Sequence, residues 1–282
     1  MPLPQVQRRG HISEHHLEYF YYIALGAFAG FLAGLLGVGG GLIIVPALAT
    51  LFVGMTIGGE LLMHLAVGTS LATIVFTSLS SVWAHHKKRA VRWREVAQLA
   101  PGIVLGAWAG AAVADMLPTA ALRFFFGVFE LGVAIQLSLN IKPQPKRRLP
   151  GTPGMFGAGS LIGGMSAIVG IGGGTMTVPF LVWCNVVMRE AVATAAACGL
   201  PIAVAGSVGF VVAGWNEPAL PPLSFGYVYL PALLSIAAAS MLFAPLGARL
   251  AHCLPADKLK KVFAMVLYVL AIYMLLGVWF SG

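Results

Sequence analysis

The sequence predicts an all-α polytopic membrane protein built from two inverted-topology repeats of about five helical segments each, with Gly-broken helices near the bilayer midplane. Three observations predict it: a composition too apolar for water, a motif that recurs later in the chain, and a one-sided distribution of Lys and Arg. Of 282 residues, 59% are hydrophobic and 9% charged, whereas a soluble domain carries about 25% charged residues to cover its surface. Successive apolar stretches of about 20 residues are each long enough to cross a hydrocarbon core of about 30 Å.

Taken in order, residues 1–18 read as an N-terminal tail. The apolar run from Tyr19 to Leu36 lacks an A-x-A-type cleavage site and ends in the recurring motif, so it reads as a retained helix rather than a secretory signal. Hydropathy divides the first membrane repeat (19–140) into segments at 19–37, 42–57, 62–84, 96–115 and 119–140. It divides the second (154–282) into 154–170, 175–188, 191–213, 227–250 and 258–280. Between them, IKPQPKRRLPGTP (141–153) has the Pro, Gly and basic residues of an exposed linker. The second segment of each repeat is short, opened by glycines and interrupted by a proline, Pro46 or Pro179. Both read as broken or half-length elements.

The repeat itself is explicit. GFLAGLLGVGGGLIIVPAL (30–48) aligns with GGMSAIVGIGGGTMTVPFL (163–181). Gly30, Gly37, Gly39, Gly40, Gly41, Val45, Pro46 and Leu48 match Gly163, Gly170, Gly172, Gly173, Gly174, Val178, Pro179 and Leu181. LAVGTSL (65–71) answers EAVATAA (190–196), pairing Thr69 with Thr194, and the segment from Leu117 answers that from Leu254.

Placing Lys87, Lys88, Arg89, Arg92 and Arg94 in the cytoplasm and counting five crossings per half leaves only Arg8, Arg9 and Arg123 of the 17 basic residues outside. That is the positive-inside bias, and an odd number of crossings inverts the second half. The linker is then cytoplasmic and Gly282 periplasmic. The net charge of +8 therefore orients helices and attracts anionic headgroups. No basic stripe interleaves with exposed aromatics, so no nucleic-acid partner is expected. The three cysteines, Cys184, Cys198 and Cys253, are unsuited to a disulfide framework or a metal knuckle.

The chemistry is expected at the glycine breaks. Discontinuous helices at matching positions of inverted repeats are the best pointer to a transporter's midplane site. Glycine lets backbone approach a ligand, and a restarting helix offers unpaired N–H groups and a positive dipole end, both suited to an anion. The expected substrate-binding residues are Gly37, Gly39, Gly40, Gly41, Gly170, Gly172, Gly173 and Gly174. Thr175, Thr177, Thr69, Ser70 and Thr194 are candidate hydroxyl donors beside them. The competing reading for the glycines is close helix packing, as the Gly30/Gly34 pair suggests; for the hydroxyls it is bonding to their own helix carbonyls.

The paired pattern G-x-G-G-G-x-x-x-V-P, in GLLGVGGGLIIVPAL and AIVGIGGGTMTVPFL, resembles the signatures of the TauE/SafE family of membrane proteins. The resemblance covers nearly the whole chain. It implies an inner-membrane permease for small sulfur-containing anions such as sulfite or organosulfonates, and draws attention to Gly37–Gly41, Pro46, Gly170–Gly174 and Pro179. The first copy has Leu42 where the second has Thr175, so hydroxyl lining is expected to be lopsided.

Ionisable residues inside spans are functional candidates. Glu130 lies mid-segment, with Leu267 as its repeat counterpart, at a cost of roughly 2–3 kcal/mol for an ionised carboxylate. It reads either as the carrier of a coupling proton or as a protonated structural group. His64, near the start of the third segment, can titrate near neutral pH or sit inert at the interface. His11, His15 and His16 spell H-x-x-x-H-H, which raises a histidine-dependent membrane metalloenzyme as an alternative. An anion channel is another. The leading expectation is a secondary transporter working by alternating access, not an enzyme, with no cofactor and no metal. Its partners are a small anion and the lipid bilayer, and the number of subunits is left open.

Overall fold

A computed structural model describes residues 5–36, 40–139, 147–251 and 256–280. Side chains are described from residue 18 onward, apart from those at 35–36, 248–249, 251, 256–260 and 279–280. Gly37 and Gly39, most of the linker, Cys253 and Gly282 thus lie outside the described residues, as do the side chains of His11, His15 and His16.

Helices occupy all ten expected segments: α1 (Gln5–Leu36), α2 (Gly41–Gly54), α3 (Leu62–Lys87), α4 (Trp93–Asp115), α5 (Thr119–Ser138), α6 (Thr152–Val169), α7 (Gly174–Trp183), α8 (Met188–Ala213), α9 (Leu230–Ala251) and α10 (Ala256–Phe280). Six helical stretches among the described residues are long and apolar enough to cross a membrane, in α3, α4, α5, α8, α9 and α10. The chain is an all-α polytopic membrane protein. Large apolar side chains such as Leu161, Val212, Leu242 and Met265 are exposed, as lipid-facing positions require.

Two differences from the expected elements have local causes. α1 starts at Gln5, well before the apolar run, because its polar first turns extend the same helix. Before α9, Ser224–Phe225 and Val228–Tyr229 pair as a hairpin, β1 and β2. Gly226, at φ +55°, opens its two-residue turn.

Helix contacts are set by small residues, since lipid offers no hydrophobic drive and van der Waals packing must serve instead. Gly26, Gly30 and Gly34 of α1 lie against Ile236, Ser240 and Ala244 of α9; a Cβ on Gly30 would stand 2.5 Å from the Ser240 Cα. In the same way Gly102, Gly106 and Gly110 of α4 lie against Phe156, Ser160 and Gly164 of α6. Residue numbers rise together in both seams, so both pairs run parallel. α3 and α8 run antiparallel, with Gly68 near Phe210, Leu71 near Gly206 and Ser78 near Gly199. α5 and α10 do the same, with Gly127 near Leu275 and Arg123 bonded to the Gly277 carbonyl at 3.2 Å. The packed pairs α1–α9, α4–α6, α3–α8 and α5–α10 map onto themselves when the first five helices exchange labels with the last five.

α2 and α7, of 14 and 10 residues, are about 21 and 15 Å long at 1.5 Å per residue, short of a full span. Each folds back beside the helix before it. Tyr22 Oη of α1 donates to Met55 Sδ, just past α2, at 3.4 Å. The Arg147 amide, ahead of α6, donates to the Trp183 carbonyl at the end of α7 at 3.3 Å. The α1–α2 hairpin therefore opens at the Leu62 end of α3, and the α6–α7 hairpin at its Lys87 end.

Candidate functional site

The two glycine breaks meet at the middle of the molecule. A Cβ on Gly41 would stand 2.6 Å from the Gly170 carbonyl oxygen, 2.9 Å from the Ile171 Cα and 3.1 Å from Ile74 Cδ1. Ile74 is half-way along α3, and a Cβ on Gly172 would meet it at 3.5 Å.

The second break is built as follows. α6 ends where the amides of Gly170 and Ile171 both return to the Ser166 carbonyl, at 2.9 and 3.0 Å. Gly170 has φ +74°, a left-handed conformation that glycine adopts without a Cβ penalty. Its carbonyl accepts the Ser70 hydroxyl of α3 at 2.9 Å. Gly173 is different: its φ of −63° is helical. Glycine is needed there for space, because a Cβ would lie 2.8 Å from the Ala195 carbonyl oxygen and 3.0 Å from the Gly199 nitrogen of α8. α7 then begins with no side-chain cap, and the amides of Gly174, Thr175 and Met176 make no hydrogen bond among the described residues. Pro179 lacks an N–H, which also leaves the Thr175 carbonyl without its helical donor.

Three hydroxyls flank this break with no partner among the described residues: Ser166 Oγ in the last turn of α6, and Thr175 Oγ1 and Thr177 Oγ1 in the first turns of α7. An unsatisfied buried polar group costs about 1–3 kcal/mol, and native structures rarely tolerate one without a ligand, water or function. Ser166 escaped the sequence reading. Its only signal was a serine in the aligned block where the first copy has Ala33.

The first break is chemically unlike the second. Gly40 through Pro46 are all buried, and Leu42 and Ile44 occupy the positions of Thr175 and Thr177. Gly40, at φ −72°, is also helical. Pro46 interrupts α2 as Pro179 interrupts α7, and its carbonyl accepts Thr50 Oγ1 at 2.7 Å.

The neighbouring hydroxyls named from sequence are fully buried, but each is engaged with protein. Ser70 spends its proton on Gly170. Thr69 Oγ1 accepts the Tyr229 amide at 2.9 Å, and Thr194 Oγ1 accepts the Arg92 amide at 3.1 Å. His64, also buried, makes a 3.0 Å hydrogen bond through Nε2 to the Ala114 carbonyl, and its ring lies 5.0 Å from that of Tyr227. Glu130 is fully buried on the inward stripe of α5, with Leu122, Phe126, Val133 and Ala134. Neither of its carboxylate oxygens has a partner among the described residues. A cavity of about 500 Å³ lies elsewhere, at the open end of the α1–α2 hairpin, lined by Glu18, Tyr21, Thr50 and Met55 among others.

This architecture can be set beside known proteins. The chain is 40% identical over 256 residues to a probable membrane transporter protein of Haemophilus influenzae, covering 90% of this chain and 97% of that one. A probable membrane transporter protein of Methanocaldococcus jannaschii is 27% identical over 90% of this chain and 94% of its own length. One from Bacillus subtilis is 27% identical over 70% and 80%. No solved structure matches. The family described as Sulfite exporter TauE/SafE matches residues 22–274. The chain is a membrane transporter protein and belongs to that family.

Proposed function

We propose that the protein is a secondary transporter carrying a small sulfur-containing anion, such as sulfite or an organosulfonate, across the bacterial inner membrane by alternating access between two inverted repeats. The observation that carries the anion assignment is the start of α7. Among the described residues, three unbonded amides at a positive helix end and three partnerless hydroxyls, Ser166, Thr175 and Thr177, are donors in search of an acceptor. A compact oxyanion supplies acceptor oxygens and charge together. Gly41, Gly170, Gly172, Gly173 and Gly174 shape this cradle. Ser70, Thr69 and Thr194 brace it, Glu130 carries the coupling proton, and the first break closes the cradle from the opposite side.

The inverted relation is supported by the antiparallel courses of α3 with α8 and α5 with α10, and by the two hairpins that open at opposite ends of α3. On this reading residues 19–140 and 154–282 are the repeats and 141–153 a cytoplasmic linker. Compartment reporters fused at the linker and after Gly282 should report cytoplasm and periplasm respectively. If both reported cytoplasm, the inversion would be lost.

Binding is tested by thermal shift of the purified protein with sulfite, sulfate and a small sulfonate, since a ligand of the folded state raises its stability. Thr175→Val, Thr177→Val and Ser166→Ala should each weaken the anion that binds by about 2- to 12-fold, the equivalent of about 0.5–1.5 kcal/mol per hydrogen bond. Unaltered affinity in all three would remove these hydroxyls from the site.

A further inference from the structure

We infer that Thr69 and Thr194 are paired latch residues, each closing one face of the transporter by holding a strap from the opposite repeat. This rests on the alternating-access reading above. The two threonines occupy equivalent positions in the repeats, on α3 and α8, and make equivalent bonds. Thr69 Oγ1 accepts the amide of Tyr229, the residue immediately before α9. Thr194 Oγ1 accepts the amide of Arg92, the residue immediately before α4. Both bonds cross between repeats, and they lie towards opposite ends of the antiparallel α3–α8 pair.

Each strap has a second polar contact across the same boundary. The β1–β2 strap carries Tyr227, whose hydroxyl donates to Asp115 Oδ1 of α4 at 2.7 Å. Gly68 of α3 lets this strap lie close, for a Cβ there would collide with the Tyr227 carbonyl. At the other end, the Arg92 guanidinium faces Glu190 of α8 at 3.7 Å and pairs with Glu95 of its own helix at 2.9 Å. With both straps fastened, the break between them is shut from both sides. Opening one face requires releasing one threonine's amide while the other stays bonded. Thr69 and Thr194 therefore set which face opens, and act through the backbone of the straps without touching the anion.

The test uses the full-length protein in vesicles, with Cys184, Cys198 and Cys253 replaced by alanine and Gly172→Cys as the reporter. A Cβ at 172 meets nothing closer than Ile74 at 3.5 Å. A membrane-impermeant maleimide is applied from each face, and labelling rates are compared. Thr69→Val, which keeps volume and deletes the acceptor, should raise labelling from the β1–β2 face by about 2- to 12-fold relative to the other face, the shift expected for one lost hydrogen bond. Thr194→Val should shift the ratio in the opposite sense, and Thr69→Ser and Thr194→Ser should restore it. If Thr69→Val fails to insert, Tyr227→Phe carries the first arm; Glu190→Gln likewise substitutes for the second. A structural role alone would lower melting temperature without moving the two ratios apart. Ratios that stay put, or move in the same sense, overturn the latch. Wild-type labelling from one face only, whatever anion is added, overturns alternating access itself, and the latch with it.

Discussion

Gly170→Ala is expected to destabilise the protein by about 2–5 kcal/mol, the largest single-residue loss at the breaks. A side chain at φ +74° costs roughly 1–2 kcal/mol. The added Cβ would also stand 2.9 Å from Val45 Cγ2 and 3.2 Å from the Val67 Cα, and overpacking of that kind costs about 1–3 kcal/mol. Gly172→Ala is the internal control, because its Cβ would make only an ordinary contact with Ile74. Melting of the detergent-purified variants checks the contrast. Equal stability of the two would mean that the tip of the α6–α7 hairpin is not held as described. Gly41→Ala belongs with Gly170→Ala, since its Cβ would press on the Gly170 carbonyl oxygen at 2.6 Å and force the two tips apart.

Glu130→Gln is expected to abolish transport driven by a pH gradient while sparing anion exchange and the fold. The reasoning is one of burial without partners. An ionised carboxylate taken out of water unpaired costs several kcal/mol, so removing its charge should not harm folding, and the amide fills the same volume. Exchange of labelled for unlabelled anion needs no net proton movement and should survive. Gradient-driven uptake and exchange, measured in the same proteoliposomes, separate these outcomes. Unchanged gradient-driven flux in Glu130→Gln would make the residue structural.

Much of the fold was legible because bilayer physics leaves few options. The start of α1 apart, apolar runs bounded by Gly, Pro and charge became helices within about five residues of the expected ends, as at Leu62–Lys87 for a segment expected at 62–84. The glycine breaks were legible as paired interruptions, but the reason for each glycine was not. Backbone freedom is needed at Gly170, whereas Gly173 and Gly41 answer to neighbours far away in the chain. The β1–β2 hairpin was missed because two-residue strands have no periodicity to detect. The sequence pairs Thr69 with Thr194, and both are buried. That their oxygens accept amides from Tyr229 and Arg92 depends on tertiary contact, which spacing along the chain does not encode. Ser166 was hidden for a simpler reason: one serine in an apolar helix looks like any small packing residue until its hydroxyl is found without a partner.

The glycine seams also impose a timetable on biogenesis. Gly30 and its contact Ser240 are about 210 residues apart, so at roughly 5–20 residues per second of synthesis α1 waits about 10–40 s for α9 to emerge. During that interval its glycine stripe faces lipid or an insertion factor. A nascent chain released at Ser138 would own α1 and α4 with neither mate. The α4–α6 seam can close once α6 has been made, but the α1–α9 seam stays open until α9 follows.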